Sequence, residues 1–178
     1  MGSFLTAKSI LLYVISTFVI GEPTVDETQA YCLALNIYHE ARSEPISGQV
    51  QVAHATLARV HDSRFPNNIC GVVLAANLDS KGNPILYRCA FSWFCDGKPD
   101  DITFVDDKGR VKTIERSNFA IASLVAVKVM LSEYTDKCDG ANFYYNPKLA
   151  SPLWANIYTR KCEIGDHVFL KREKGSLL

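Results

Sequence analysis

Within Ala30–Arg42 (A-Y-C-L-A-L-N-I-Y-H-E-A-R) one carboxylate stands on the rim of an apolar stripe. Ala30, Leu33, Ala34, Ile37 and Ala41 recur at i, i+3, i+4, i+7 and i+11, the spacing of one helix face. Glu40 falls about 80° from the middle of that stripe, and His39 points to its far side. A carboxylate at the edge of a buried face is partly stripped of water, which disfavours its charge and raises its pKa. That is the state a general acid needs near neutral pH. The same spacing also suits an ordinary solvated residue, so the rest of the chain must decide between the two.

Other chemistries find less support. His39-Glu40 opens an H-E-x-x-H pattern, but Ala41, Arg42 and Ser43 follow and the second zinc ligand is missing. His54, His61 and His167 are scattered, and none pairs at i, i+4 with another. The six cysteines (Cys32, Cys70, Cys89, Cys95, Cys138 and Cys162) contain no C-x-x-C pair. A thiol hydrolase built on Cys32 and His54 needs a free thiol, whereas an even set in an exported chain favours disulfides and an oxidising compartment. Cys89 and Cys95 flank Phe91–Phe94 and suit a local staple; Cys138 with Cys162 would brace the C-terminal aromatic segment. Other pairings stay open.

The elements that must position these residues follow in order. Thr24-Val-Asp-Glu27 reads as a capping box opening the first helix. Ser43–Ile46 ends it, with Pro45 suited to the first turn of a second helix. There Ile46, Val50, Ala53, Leu57 and Val60 form the clearest helical repeat in the chain. Pro66 opens a third, short helix with Ile69, Val72, Val73 and Ala76 on one face. From Leu78 to Gly109 the periodicity breaks: turn formers at Lys81–Pro84 and Asp96–Pro99 bracket an extended run, which predicts a small hairpin or irregular ribbon. Ser117–Tyr134 is a long helix, nearly apolar through Ile121–Leu131. The last forty or so residues alternate aromatics with turn formers and end in a basic Lys171–Lys174, read as a solvated tail. The fold class is α+β, mainly helical.

At 178 residues, 48% hydrophobic and 21% charged, the chain has the composition of one globular domain. Its formal net charge of zero argues against a nucleic-acid partner. Lys8 followed by the apolar run Ser9–Gly21 has the layout of an export signal over residues 1–21, leaving 22–178 as a single domain. The run is shorter than the roughly 20 residues a spanning helix needs. Transient membrane association through residues 4–21 and a buried N-terminal core helix are the alternatives.

Several segments together resemble the cell-wall hydrolase family that includes spore-cortex-lytic enzymes and some phage endolysins. They are L-A-L-N-I-Y-H-E-A-R (Leu33–Arg42), E-P-I-S-G-Q-V-Q-V-A (Glu44–Ala53), F-P-N-N-I-C-G-V-V (Phe65–Val73), C-A-F-S-W-F-C-D-G-K (Cys89–Lys98), S-P-L-W-A (Ser151–Ala155) and I-G-D-H-V-F (Ile164–Phe169). The resemblance implies a lysozyme-like fold and cleavage of peptidoglycan glycan strands between N-acetylmuramic acid and N-acetylglucosamine. The activity would be that of lytic transglycosylases or of muramidases related to goose-type lysozyme. It implies no metal or other cofactor, a monomer, and work at the cell wall outside the cytoplasm. Glu40 matches the family's catalytic acid. Trp93, Tyr144, Tyr145 and Trp154 are candidate walls for the apolar faces of sugar rings, and Ser92 and Lys98 candidate polar contacts. Asp96 reads either as a second carboxylate or as the turn that Asp-Gly favours.

The chain departs from the family at Phe143-Tyr144-Tyr145, where H-Y-H is common, and at Ala58-Arg59-Val60, where N-R-V is common. The first puts a functional histidine there in doubt, and the second reads as a packing change only. Without a second carboxylate, the sugar's own 6-hydroxyl would attack the anomeric carbon, with Glu40 acting first as acid and then as base. A non-catalytic peptidoglycan-binding module and an amidase or peptidase acting on the peptide stem are the rival readings.

Overall fold

The computed structural model describes residues 6–18, 25–173 and 175. Five helices, α1 (Ala7–Phe18), α2 (Glu27–Ala41), α3 (Ile46–Val60), α4 (Ile69–Val73) and α5 (Thr113–Met130), pack into a layer centred on α2. The N-terminus of α2 is capped by Asp26, whose side chain accepts the Gln29 N–H at 3.0 Å. That replaces the expected capping box, and Thr24 itself lies outside the described residues. The predicted stripe of α2 is buried, but so are Cys32, Asn36 and Tyr38, because α3, α4 and α5 enclose the helix from several sides.

The enclosure explains where the other helices depart from their sequence patterns. In α3, Ile46 is exposed and Leu57 and Val60 are only partly covered, while Gln49, Gln51, Thr56 and Arg59 are buried. The helix lies between the α2 layer and a C-terminal sheet, so a second face, polar in sequence, is also shielded. The fully buried Phe119 ring of α5 meets Tyr31, Tyr38 and Phe104 at centroid distances of 6.2, 5.9 and 6.2 Å. Helix α1 lays Ile10, Leu11 and Val14 against its neighbours, chiefly α5, and leaves Tyr13 outside. It is the described part of the expected export segment; Gly21, the expected cleavage point, lies outside the described residues. Among those described, no helix is long and apolar enough to cross a membrane.

The expected hairpin is present as antiparallel β1 (Ala76–Leu78) and β2 (Pro84–Cys89), joined by a turn in which Asp79 Oδ1 accepts the N–H groups of Lys81 and Asn83, each at 2.8 Å. The extended run stops at Cys89, and Ser92–Cys95 is a 3-10 turn held by the Cys89–Cys95 disulfide. Cys32–Cys70 ties α2 to α4, and Cys138–Cys162 braces the C-terminal segment.

That segment contains a three-stranded antiparallel sheet, β3 (Phe143–Tyr145), β4 (Thr159–Ile164) and β5 (His167–Lys171), in the order β3-β5-β4. Only aromatics and turns were legible there. β5 is the central strand, and His167 through Leu170 are all buried, so it lacks the alternation that marks a half-exposed strand. The expected basic tail is corrected as well: Lys171 belongs to β5, and the Arg172 N–H donates to Asn142 Oδ1 at 2.9 Å.

The sheet is pinned to the corner between α2 and α3. Glu44 Oε2 accepts the Asp166 N–H at 2.9 Å, and Glu44 Oε1 lies 3.8 Å from His167 Nδ1. Gly165 makes this approach possible: its φ is +62°, and a Cβ there would meet Glu44 Oε2 at 1.9 Å. The corner thereby fixes where β3 crosses the end of α2.

Truncating Phe119 to alanine should cost about 3–5 kcal/mol, the usual range for a large buried aromatic. Ile114→Ala, at an exposed position of the same helix, should cost less than about 0.5 kcal/mol. Chemical denaturation of the two variants checks the difference; equal losses would contradict this account of the core.

Candidate active site

Glu40 sits in the last turn of α2, half-buried on the edge its spacing predicted. Strand β3 crosses there, and strand alternation turns Tyr144 toward α2 while Phe143 and Tyr145 face the other way. The Tyr144 hydroxyl donates to Glu40 Oε2 at 3.2 Å. Its ring is held by Phe169, the residue opposite it on β5, by the edge of His167 at 5.3 Å, and by Phe91 at 6.5 Å.

Burial pushes the Glu40 carboxyl above the usual glutamate range; the Tyr144 hydrogen bond and the charge of Arg59 pull it back without cancelling the shift. Tyr144 is raised well above the ordinary phenol value, by burial first and then by the neighbouring carboxylate. It therefore stays protonated and serves as a standing donor.

Arg59 lies in the last turn of α3 and is only 7% exposed. Its Nε donates to the Asn142 carbonyl at 2.7 Å. The guanidinium carbon lies 5.5, 4.9 and 5.0 Å from the ring centroids of Phe65, Phe91 and Phe143. Burial lowers its pKa, opposed by Tyr144 and Glu40. Sequence reading gave this arginine no role; the packing change it noted there was the departure at Ala58. The available signal was its position seven residues after Val52 and four after Ala55, a cation on a buried face.

A buried polar pair underlies the site. Asn36, one helical turn before Glu40, donates through Nδ2 to Thr56 Oγ1 and accepts the Trp93 indole N–H at Oδ1, both at 3.1 Å. The i−4 spacing from Glu40 was the signal for Asn36 in the sequence. Trp93 is 8% exposed and stacks on His39 at 4.5 Å and 13°. The expected exposed sugar wall is thus not met at Trp93, because its N–H is committed to Asn36 and one ring face to His39. Burial holds His39 below its ordinary pKa.

The remaining expected site residues divide in two. Ser92 and Lys98 are exposed, on the turn that Trp93 anchors. Asp96 accepts the Lys98 N–H at 2.9 Å and faces Lys98 Nζ at 3.4 Å, which keeps its carboxyl below the usual range. It is an ionised turn residue whose charge reaches His39, and the two sequence readings resolve toward the turn. Tyr145 and Trp154 are not brought to Glu40. They meet each other at 5.7 Å on the far face of the sheet, where Trp154 also packs on Phe143 and Tyr158. The arrangement around Glu40 is thus one desolvated carboxyl, one fixed hydroxyl donor and one buried cation, equipped to give and take a proton.

Comparison with known proteins agrees with this architecture. The spore cortex-lytic enzyme of Oceanobacillus iheyensis is 29% identical over 163 residues, covering 85% of this chain and 46% of that protein. The enzyme of the same name from Bacillus cereus is 30% identical over 141 residues, covering 78% of this chain and 42% of the relative. The chain thus spans less than half the length of these relatives. The catalytic domain of the germination-specific lytic transglycosylase SleB from Bacillus anthracis superposes with a TM-score of 0.58 at 25% identity, covering 85% of this chain and all of that domain. The fold is accordingly the lysozyme-like α+β class expected from the sequence. A model of the cell wall hydrolase family matches residues 43–170, a span that begins just after Glu40 and takes in Arg59, Trp93 and Tyr144. The chain belongs to the cell wall hydrolase family.

Proposed function

We propose that this chain is a glycosidase-type hydrolase of peptidoglycan that cuts the glycan strand between N-acetylmuramic acid and N-acetylglucosamine, with Glu40 as its general acid and base. The observation that carries the reading is a carboxyl desolvated at the rim of α2 and held by the Tyr144 hydroxyl. In the reaction, protonated Glu40 gives its proton to the glycosidic oxygen as the bond from that oxygen to the anomeric carbon breaks. The alcohol leaves, and an oxocarbenium-like muramic acid remains. Its 6-hydroxyl then attacks the anomeric carbon and returns a proton to Glu40, closing an anhydro ring. Water in the same position would instead give the hydrated end of a muramidase.

The anhydro route is favoured by the surroundings of Glu40. Among the described residues the groups perturbing its charge are Tyr144 and Arg59, and neither is a carboxylate. A two-carboxylate mechanism would need a partner some 5–9.5 Å away, and Asp96 is occupied with its own turn. Ser92 and Lys98 remain the candidates for polar contacts to the strand, and Tyr144 for contact beside the scissile bond. The substrate lies at the wall, so residues 1–21 are read as serving export. Helix α1 lays Ile10, Leu11 and Val14 into the domain as the core-helix alternative would, which favours membrane residence and release over cleavage.

Glu40→Gln keeps the shape but has no proton to deliver, and wall lysis should fall by about two to four orders of magnitude. A folded variant retaining more than a tenth of the activity would sink the assignment of Glu40 as the acid. Mass spectrometry of digested glycan strands should find anhydro-muramic ends; hydrated ends would mean a muramidase, and freed peptides an amidase. Tyr144→Phe removes a donor that favours the carboxylate, so the carboxyl should hold its proton to higher pH. The alkaline limb of the kcat/KM profile should then rise by about one unit, at the low end for a hydrogen bond to a charged group. A limb that falls or stays fixed would separate Tyr144 from the acid.

A further inference from the structure

The buried cation at the end of α3 has no assignment in the reaction described so far. Among the described residues Arg59 forms no ion pair within 4.0 Å, and its hydrogen bond goes to a backbone carbonyl. The nearest acidic side chain on its own segment, Asp62, is committed to Arg64, and Asn142 Nδ2 adds a further hydrogen bond to it at 3.2 Å. A guanidinium kept under three aromatic rings is a costly way to fill space, since an apolar side chain of similar size usually serves a purely packing role as well or better. The cage prevents Arg59 from swinging to solvent, so the charge is fixed in place.

From this placement we infer that Arg59 is a positioning residue for the reaction, a fixed cation that stabilises the Glu40 carboxylate left once the acid has given up its proton. The inference rests on the proposed role of Glu40. Arg59 holds the carbonyl of Asn142, two residues before Tyr144, and shares the Phe91 ring with Tyr144, whose hydroxyl bonds Glu40. The charged or titratable groups acting on the guanidinium are Tyr144 from β3 and Glu40 from α2. Behind Tyr144, β5 contributes His167, itself 3.8 Å from Glu44. When the glycosidic oxygen takes the proton, negative charge appears on Glu40 in a poorly solvated spot. Tyr144 answers it with a hydrogen bond and Arg59 with a field that needs no rearrangement. Arg59 exchanges no proton and touches no substrate; it acts through Glu40. The Phe91 ring touches both parts, 4.9 Å from the guanidinium and 6.5 Å from the Tyr144 ring.

The test is the pH dependence of kcat and kcat/KM on purified glycan strands for Arg59→Met, Arg59→Gln and Arg59→Lys, with Glu40→Gln run beside them. Loss of the cation should raise the alkaline limb by about one unit, the lower end of the effect of an opposite charge nearby. It should also lower kcat about tenfold with little change in KM. Arg59→Lys, with a shorter side chain and a charge drawn back from Glu40, should fall between wild type and the neutral variants. A folded neutral variant whose limb stays in place, or whose loss appears in KM alone, overturns the inference. If the neutral variants fail to fold by circular dichroism, Arg59→Lys decides: a raised limb supports the inference and an unmoved one overturns it. Activity surviving in Glu40→Gln defeats the assignment of Glu40 itself. An inactive Glu40→Gln beside unmoved Arg59 profiles defeats only the role of Arg59.

Discussion

The structure turns on one hydrogen bond across a seam, from the Tyr144 hydroxyl of the C-terminal sheet to the Glu40 carboxyl of the helical layer. Glu40 reaches the seam because the rest of α2 is enclosed, leaving the edge of its last turn as the place where a carboxylate can sit. Tyr144 reaches it because β3 pairs with β5, which is fastened to the α2–α3 corner through Glu44 and the tight turn at Gly165. The disulfides Cys32–Cys70 and Cys138–Cys162 hold the two sides independently. A shift of either layer would part the donor from its acceptor.

Placing a carboxyl at such a seam works against stability. A glutamate whose folded pKa is raised contributes stability that is fully present below its unfolded value, about 4.3, and lost as pH rises through the folded value. At neutral pH the fold carries that loss. Tyr144 and Arg59 reduce it by favouring the charged form, and burial still outweighs them. The site is thus a local conflict between burial and charge, the kind a fold keeps where chemistry requires it. Beneath it Asn36, Thr56 and Trp93 are matched to one another in a buried chain of hydrogen bonds.

Much of this was legible in the sequence because helices write their environment at a fixed period. The stripe of α2 gave both the helix and the rim position of Glu40, and the turn formers around Ile85 gave the hairpin. The C-terminal sheet was not legible, since β3 is only three residues long and β5 is buried throughout, which removes the period-two signal. Without the sheet, the opposite facing of Tyr144 and Tyr145 had no basis, and both were grouped with Trp154 as sugar walls. Trp93 was read by residue type, but its role is set by Asn36, a residue far away in sequence. Arg59 was passed over because a helix repeat weights apolar positions, and a cation on a buried face stands out only once that face is known to be covered.

The central claim, that this fold holds the Glu40 carboxyl above the ordinary glutamate range so that it can serve as an acid, is tested most directly by carboxyl carbon-13 NMR of the intact protein. The Glu40 resonance would be assigned by its disappearance in Glu40→Gln and followed through a pH titration. The account predicts a midpoint clearly above the ordinary glutamate value of about 4.3. A midpoint at or below that value would mean that the carboxyl is ionised in the resting enzyme, and the account would be wrong.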